Sequence, residues 1–212
     1  MVINKNMLYC YRITHRDNLP HILSDGLVNK NHHKAAPDFV AIGNPEIIDV
    51  RSTTLVGLDS YGYIGEYIPF YFTPRSIMLY NIVTGYYHPR VPQRSRDEII
   101  VIRCLAQTLA ERPKWFFTDG QANDGESGHY ADLKELSKID WDCIQNSQFS
   151  KADDYDRPRR YQAEFLVKDI VPAECFESIC VYSKKMQLWA QTKVNAAGKM
   201  LKVNVIPEYF FQ

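Results

Sequence analysis

Short apolar segments, separated at irregular distances by helical stretches, constrain the fold of this chain more than any other feature. Their β-branched and aromatic residues are typical of strands. Strands and helices do not alternate regularly, and the chain has no GxGxxG or GxxxxGK[ST] motif, which disfavours a doubly wound parallel sheet. The sequence therefore predicts an α+β fold with strands at 8–13, 68–73, 98–105, 115–118, 162–168, 179–182 and 202–206.

Capping residues and apolar periodicity indicate where the helices lie. Asp17 is a suitable N-cap and Gly26 a suitable end for the first helix, and Pro74 and Gly85 bracket another. Residues 29–67 show weak periodicity, which is typical of a long functional surface segment. No repeat or low-complexity linker divides the chain, so we expect one domain over 1–212. Helices are predicted at 17–23, 74–83, 129–138, 141–145 and 185–193, with a charged loop at 151–160.

The charge balance limits the nucleic acids that the chain can bind. It carries 25 basic and 25 acidic residues, whereas a duplex-binding domain usually has a basic excess. A local basic patch and a short single-stranded substrate remain compatible with this balance. No apolar run reaches the roughly 20 residues of a membrane helix, and residues 1–9 show no secretion signal. A cytoplasmic protein without membrane contact is expected.

The cysteines and histidines give no indication of a metal site. The five cysteines are odd in number and scattered, without a CxxC pair, which disfavours both a zinc site and a disulfide framework. We expect buried, reduced thiols. His32 and His33 are neighbours on a polar segment and are expected to be solvated, so no metal is predicted.

Glu164 is the most informative single residue, because it lies within the apolar run QAEFLV. Strand alternation places Gln162, Glu164 and Leu166 on one face. A carboxylate on so apolar a strand is costly unless it is paired or faces a cleft. The alternative is an edge-strand glutamate that faces water, and the pattern alone leaves both readings open.

The segment 11–27 offers a second candidate site. Thr14 and His15 end a strand and Asn18 opens a helical turn, whose backbone amides are suited to a phosphate or diphosphate. In the alternative interpretation, Thr14 and Asp17 only cap the helix and His15 binds a backbone group.

Two arginines in otherwise apolar or irregular surroundings are further candidates. Arg75 follows Pro74 at a strand-to-helix turn rich in aromatic residues, a combination suited to stacking a base and binding its phosphate. The aromatic residues can equally be core residues. Arg51 stands alone in the irregular segment, where an arginine is usually solvated.

Several of these segments together resemble the DarT family of DNA ADP-ribosyltransferases, toxins paired with the macrodomain antitoxin DarG. One fragment alone carries little weight, but six or more in the family's order argue against chance. The matching segments are YRITHRDNLPHIL from Tyr11, GNPEIIDVR at 43–51, YIPFYFTPRSIMLY at 67–80, FFTD at 116–119, IDW at 139–141, RYQAEFLV at 160–167 and VYS at 181–183.

The resemblance implies an ADP-ribosyltransferase-like split β-sheet core with peripheral helices, and NAD+ as a substrate held in the cleft between the halves. The family's catalytic glutamate falls on Glu164, and a carboxylate can stabilise the oxocarbenium-like ribose that forms as nicotinamide leaves. The essential arginine falls on Arg51, within an NAD-binding segment at about 37–53, where it is proposed to help remove a proton from the target base. Because arginine stays protonated in proteins, we expect it instead to stabilise the base's developing anion or to orient the NAD+ phosphates.

The resemblance also assigns contacts to NAD+ and to DNA. Relatives often carry histidine in place of Arg12, so that contact can differ here. The substrate-reading loop is expected at about 119–160. NAD+ contacts fall on Arg12, Ile13, Thr14, His21, Asn29, Arg51 and Tyr71, and candidate DNA contacts are Arg75, Met78, Arg157, Arg159 and Arg160.

The predicted activity is transfer of ADP-ribose from NAD+ to a base in single-stranded DNA, with release of nicotinamide. The forms YIPFYFTPRSIMLY and YQAEFLV resemble the members that modify thymidine more than those that modify guanosine. The alternatives are transfer to guanosine, to RNA or to protein, and a catalytically inactive relative that only binds single strands.

Overall fold

A central mixed sheet dominates the computed structural model, which describes residues 7–147, 149–150 and 152–211. Within these residues eight strands follow the order β10-β9-β4-β1-β3-β7-β5-β6, and β2 and β8 form a separate pair. The β9–β10 pair is parallel and the other pairs are antiparallel. The strands are β1 (Tyr9–His15), β2 (Leu27–Val28), β3 (Tyr67–Tyr71), β4 (Ile99–Leu105), β5 (Trp115–Thr118), β6 (His129–Tyr130), β7 (Glu164–Lys168), β8 (Ile170–Val171), β9 (Phe176–Val181) and β10 (Lys202–Val205).

The sheet divides between β1 and β3. β1 pairs with β4 along its whole length, from Tyr9 opposite Leu105 to His15 opposite Ile99. By contrast, β1 meets β3 at a single position, where Tyr11 lies opposite Tyr71. The two halves therefore separate beyond this position, which leaves room for a cleft between them. The predicted split-sheet α+β fold is confirmed.

Short helices surround the sheet, and most of the predicted ones are present. The first helix ends at Gly26 as expected, where φ is +86°. The helix predicted from Pro74 begins later, because the hydroxyl of Ser76 accepts the amide of Leu79 as its N-cap. The α-helices are α1 (Leu19–Asp25), α2 (Pro45–Thr53), α3 (Ile77–Thr84), α4 (Ala106–Ala110), α5 (Trp141–Gln145), α6 (Arg157–Tyr161) and α7 (Lys184–Ala196).

Two predictions about irregular and helical segments are wrong in part. The helix predicted at 129–138 begins with the strand β6 and continues as a 3-10 helix, Leu133–Lys138. The charged loop predicted at 151–160 contains most of α6, since Asp156 precedes it and Pro158 fits its first turn. Lys151 at the start of that predicted loop lies outside the described residues.

Apolar residues on both faces of the sheet form the core. On β7, Phe165 and Val167 pack into the largest cluster, whereas Leu166 packs against Tyr67 and Phe116 on the opposite face. All five cysteines are buried and none of them forms a disulfide with another, as expected, and burial raises the pKa of Cys10 and Cys104 well above the ordinary thiol value. In the described part of the chain, no helix is both long and apolar enough to cross a bilayer.

Candidate active site

A cavity of about 330 Å³ lies over the division between β1 and β3. Its volume falls within the range of small-molecule sites, roughly 300–1,000 Å³. β1 and β3 supply one wall each, α1, α2 and α3 contribute further residues, and Glu164 enters from β7. The structure therefore brings all seven residues predicted to contact NAD+ to one cavity: Arg12, Ile13, Thr14, His21, Asn29, Arg51 and Tyr71.

Glu164 begins β7 and is 1% exposed, so the edge-strand interpretation is wrong. Three groups hold the residue in place. Arg51 Nη1 lies 3.1 Å from Oε1 and 2.9 Å from Oε2, and the Ala122 amide donates to Oε1 at 3.0 Å. The Glu164 amide itself donates to the Thr118 hydroxyl at 3.2 Å. The cost of burying this carboxylate is therefore offset by an opposite charge and an amide donor.

Arg51 is on α2, and its side chain is 12% exposed, so the prediction of a solvated loop arginine is wrong. Its Nη2 atom is buried and has no hydrogen-bond partner among the described residues. Because Nη1 already contacts Glu164, the guanidinium has donors left for a ligand in the cavity. The Arg51 guanidinium is therefore placed to neutralise negative charge on a bound dinucleotide or base.

Arg12 spans the division of the sheet from the β1 side. Its Nη1 donates to the carbonyl oxygen of Pro69 on β3 at 3.2 Å, and its Nε is buried without a partner in the described residues. Burial lowers the Arg12 pKa from its ordinary value. The guanidinium joins the two sheet halves and presents a further cation to the cavity.

Tyr71 lies opposite Glu164 in the β3–β7 register. Its hydroxyl donates to the sulfur of Met78 on α3 at 3.7 Å. Burial, and next the nearby charge of Glu164, raise the pKa of Tyr71. The neutral phenol is therefore the form present at physiological pH.

The start of the first helix lies outside the lining of the cavity, and a phosphate contact there stays a prediction. His15, Asn18 and Leu19 are not among the residues that line the cavity, to which α1 contributes His21 and Ile22. His15 Nδ1 accepts the Asp17 amide at 3.3 Å, as the alternative interpretation predicted for His15. The predicted capping role of Asp17 is wrong, because residues Arg16–Asn18 form a 3-10 helix capped by His15, and Asn18 is the N-cap residue of α1.

Asn18 instead fixes the segment that covers the cavity. Its side chain donates to the Val40 carbonyl at 2.9 Å and accepts the Val40 amide at 2.8 Å. The same Nδ2 also lies 3.0 Å from the Thr14 hydroxyl. Because Phe39, Ala41 and Ile42 line the cavity beside Val40, this two-way contact determines where the segment lies over it.

His21 and Asn29 both line the cavity, but they differ in how far their polar atoms are already hydrogen-bonded. The buried Nε2 of His21 has no partner within the part of the chain described, whereas its Nδ1 is 3.7 Å from Asp25. Asn29 donates to the Gly65 carbonyl at 2.7 Å and accepts the Asn31 amide at 3.0 Å. His21 therefore has a ring nitrogen for a ligand, while the Asn29 side chain mainly joins the adjacent backbone.

The two DNA candidates near α3 differ in their surroundings. Met78 lines the cavity beside Tyr71. Arg75 donates to the Glu208 carbonyl at 2.8 Å and lies 4.2 Å from the centre of the Phe211 ring. The guanidinium thus stacks on an aromatic ring of its own chain, and a DNA contact by Arg75 stays a prediction.

The three arginines of α6 are paired with acidic side chains. Arg157 contacts Asp153, Arg159 contacts Asp119 and Asp156, and Arg160 contacts three aspartates. The Arg159 hydrogen bond lowers the pKa of Asp156 to about 2. These contacts neutralise the cluster and connect α6 to the loop after β5. They favour a structural role for Arg159 over its predicted DNA contact, while DNA contacts by Arg157 and Arg160 stay predictions.

Sequence reasoning missed α2 and the amide of Ala122. The apolar side chains of Ile47 and Ile48 on α2 face the cavity, and no α2 residue is buried, so the periodic core pattern is absent. Asn44 as N-cap, with Pro45 in the first turn, was the sequence indication of this helix. A backbone amide has no sequence pattern that could have revealed it.

A cavity over a divided sheet, with a buried carboxylate beside guanidinium nitrogens that have no partner in the described residues, defines a glycosyl-transferring enzyme of the ADP-ribosyltransferase class. The family model for "ssDNA thymidine ADP-ribosyltransferase, DarT" matches residues 11–211. The chain belongs to this DarT family, and the predicted family and enzyme class are confirmed.

Individual relatives agree with this assignment. A DNA ADP-ribosyl transferase of Escherichia coli O127:H6 is 35% identical over 99% of this chain and 96% of its own length. One from Thermus sp. strain 2.9 is 34% identical over 83% of this chain and 82% of its own. Among solved structures, Thermus sp. 2.9 DarT with ADP-ribosylated ssDNA has a TM-score of 0.86 at 29% identity, and covers 96% of both chains. The same protein with NAD+ has a TM-score of 0.83 at 27% identity, over the whole of both chains.

Proposed function

We propose that this protein transfers ADP-ribose from NAD+ to thymidine in single-stranded DNA and releases nicotinamide. The observation that carries the proposal is the Arg51–Glu164 pair, which lies at a cavity lined by every residue expected to contact NAD+. The family description names this reaction type, which favours thymidine over guanosine as the target. Solved relatives that contain NAD+ and ADP-ribosylated ssDNA support both substrates.

The cavity has the donors that a dinucleotide requires. Arg12 Nε, Arg51 Nη2 and His21 Nε2 are buried, line the cavity and have no partner in the described residues. Guanidinium groups bind phosphate oxygens through paired, charge-assisted hydrogen bonds. Arg12 is therefore suited to the negative charge of the NAD+ diphosphate, whereas Arg51 lies beside Glu164.

Glu164 stabilises the ribose as the glycosidic bond breaks. The bond to nicotinamide breaks with its electron pair on the departing ring, so positive charge develops on the ribose. A fixed carboxylate nearby lowers the energy of that charge more in the transition state than in the ground state. Because Arg51 and Ala122 hold the carboxylate on two sides, little reorganisation is needed.

Arg51 stabilises negative charge rather than accepting a proton. Thymine in DNA has a single N–H group, so attack by that nitrogen on the ribose forms one N–C bond and releases one proton. The products are ADP-ribosyl-DNA, nicotinamide and that proton. A guanidinium remains protonated throughout, and it lowers the cost of the negative charge that develops on the thymine.

The biological setting follows from the family. A Thermosipho africanus relative, 24% identical over 95% of this chain, is a fusion of a DNA ADP-ribosyl transferase with a DNA ADP-ribosyl glycohydrolase, of which the match covers 49%. An enzyme that removes the modification is a suitable antidote to one that adds it. This supports a cytoplasmic toxin whose partner is the macrodomain antitoxin DarG.

Mass spectrometry of oligonucleotides incubated with the protein and NAD+ tests the proposal. We expect one ADP-ribose on a single-stranded oligonucleotide that contains thymine, and none on a matched oligonucleotide in which cytosine replaces every thymine. Modification of the thymine-free DNA at guanine would overturn the choice of base. Label from NAD+ that enters RNA or protein but not DNA would overturn the choice of substrate, and absence of nicotinamide release would indicate an inactive relative.

A further inference from the structure

His129, on β6, contacts both the segment that follows the helix of Arg51 and the loop that holds Glu164, although it does not line the cavity. Its Nδ1 accepts the amide of Gly57 at 2.7 Å, and its Nε2 lies 3.0 Å from the carbonyl oxygen of Ala122. Gly57 follows α2, which carries Arg51, and the amide of Ala122 donates to Glu164. One imidazole thus joins the Arg51 segment to the loop that holds Glu164.

The hydrogen bonds determine the form of the imidazole. An amide N–H can only donate, so Nδ1 must be the unprotonated nitrogen. Nε2 must then carry the proton, since a carbonyl oxygen can only accept. His129 therefore bridges the two segments only as the neutral Nε2–H tautomer.

The surroundings favour this neutral form. Burial lowers the pKa of His129, against the smaller opposite effects of the Ala122 carbonyl and the negative charges of Asp119 and Glu164. The ring also lies 5.2 Å from that of Phe116, and Ala122 itself is buried in the adjoining apolar cluster. Because the carbonyl of Ala122 contacts His129 and its amide contacts Glu164, the loop that carries Ala122 cannot move away from Glu164 without breaking the contact with His129.

We propose that neutral His129 is a positioning residue that holds the Ala122 amide against Glu164 and locks the loop to the Arg51 segment. The proposal rests on the roles given above to Glu164 and Arg51. Protonation places a second N–H against the amide of Gly57, which breaks the bridge. Loss of the bridge reduces turnover more than NAD+ binding, because the loop that it releases holds Glu164, whose charge acts as the glycosidic bond breaks.

The pH dependence follows from the lowered pKa. The folded protein favours neutral His129, so the bridge contributes its full stability above the ordinary histidine pKa of about 6.5. This contribution is lost as the pH falls through the lowered pKa of the folded state. A plot of transfer rate against pH should therefore have an acidic limb, on which the rate falls as His129 becomes protonated.

Two substitutions separate the two hydrogen bonds. In His129→Gln, the amide nitrogen can still donate to the Ala122 carbonyl, whereas in His129→Asn the side-chain oxygen can still accept from Gly57 but cannot reach Ala122. Neither side chain titrates. His88→Gln is the matched control, because His88 is exposed and does not line the cavity.

The experiment measures kcat and KM for NAD+ from about pH 5 to about pH 9, with amide hydrogen exchange at 119–123 in the same samples. We expect His129→Asn to lower kcat roughly tenfold with little change in KM, and His129→Gln to lower it less. Both variants should lose the histidine limb, and exchange at Ala122 should be faster in His129→Asn.

Wild-type kcat and an unchanged acid limb in both variants would overturn the proposal, even if their melting temperatures fell. An effect on KM alone would overturn it as well. Absence of transfer by the wild-type protein would refute the proposed function, while hydrogen exchange at Ala122 would still decide whether His129 holds the loop.

Discussion

Arg51 Nη1 lies within 3.1 Å of both carboxylate oxygens of Glu164, although the two residues are 113 positions apart in the sequence. The guanidinium comes from α2 on one side of the cavity and the carboxylate from β7 on the other. Each charge compensates the other in surroundings that exclude most water. The pair therefore supports both the stability of the site and its chemistry, and substitutions can separate the two effects.

Removal of Arg51 should destabilise the fold because it leaves Glu164 buried without its cation. We expect Arg51→Ala to lower the free energy of unfolding by roughly 3 kcal/mol. The double variant with Glu164→Gln should recover part of that loss, since no buried charge remains. Denaturant unfolding of the two single variants and the double variant measures this coupling. Additive effects would show that the pair contributes no interaction energy.

Arg51→Lys should keep the fold and lose activity. Lysine retains the positive charge but concentrates its donors on one nitrogen, so it cannot reproduce the planar fork that reaches Glu164 through one nitrogen and a ligand through another. We expect kcat to fall roughly a hundredfold with little change in melting temperature. Arg103→Lys is the matched control, because Arg103 forms a comparable pair with Glu177 at 2.6 Å in the other half of the sheet. Full activity of the Arg51→Lys variant would contradict a role for the fork.

Asn18→Asp should weaken NAD+ binding by releasing the segment over the cavity. Aspartate can still accept the amide of Val40 but opposes its carbonyl oxygen, to which Asn18 donates at 2.9 Å. We expect the dissociation constant for NAD+ to rise roughly tenfold, as measured by calorimetry. Asn195→Asp on the exposed face of α7 is the control. Unchanged NAD+ affinity in the Asn18 variant would show that the hydrogen bonds between Asn18 and Val40 are not needed to hold the segment over the cavity.

Arg159→Ala should disturb the loop without altering the salt dependence of DNA binding. Its donors already contact Asp119, Asp156 and Ser127. We expect lower kcat and an unchanged slope of log affinity for DNA against log salt concentration. A slope that became shallower by about one would instead identify Arg159 as a phosphate contact.

The cysteines should be unreactive in the folded protein. All five are buried, and burial raises the pKa of each thiol. Because the thiolate is the reactive form, we expect slow labelling by a thiol reagent near neutral pH and fast labelling of all five after denaturation. Rapid labelling of the native protein would indicate that a part of the core opens.

The sequence predicted the strands better than the segments that complete the site. The apolar runs around Ile99–Leu105 and Glu164–Lys168 predicted strands, and both are strands whose residues are mostly buried. Alternation also correctly placed Glu164 and Phe165 on opposite faces. α2 was missed because its apolar residues face a cavity instead of the core. The resemblance to a family, and not periodicity, singled out Arg51.

The paired arginines and the bridging histidine could not be predicted for a different reason. Some of their partners, such as Asp119 for Arg159 and Gly57 for His129, are distant in sequence, although the arginines of α6 also pair with aspartates of their own segment. Only the fold determines whether a charged cluster such as α6 faces water or is neutralised by aspartates. Local composition describes the residues present, but not the groups that they meet.

The most direct test of the central claim is the rate of ADP-ribose transfer to a thymine-containing single strand by Glu164→Gln. Glutamine keeps the shape of the side chain and removes the charge that stabilises the ribose, so we predict a loss of at least roughly a hundredfold with NAD+ still bound. Glu177→Gln, which removes a carboxylate paired with Arg103 outside the cavity, should transfer at close to the wild-type rate. Transfer by Glu164→Gln at the wild-type rate would contradict the account.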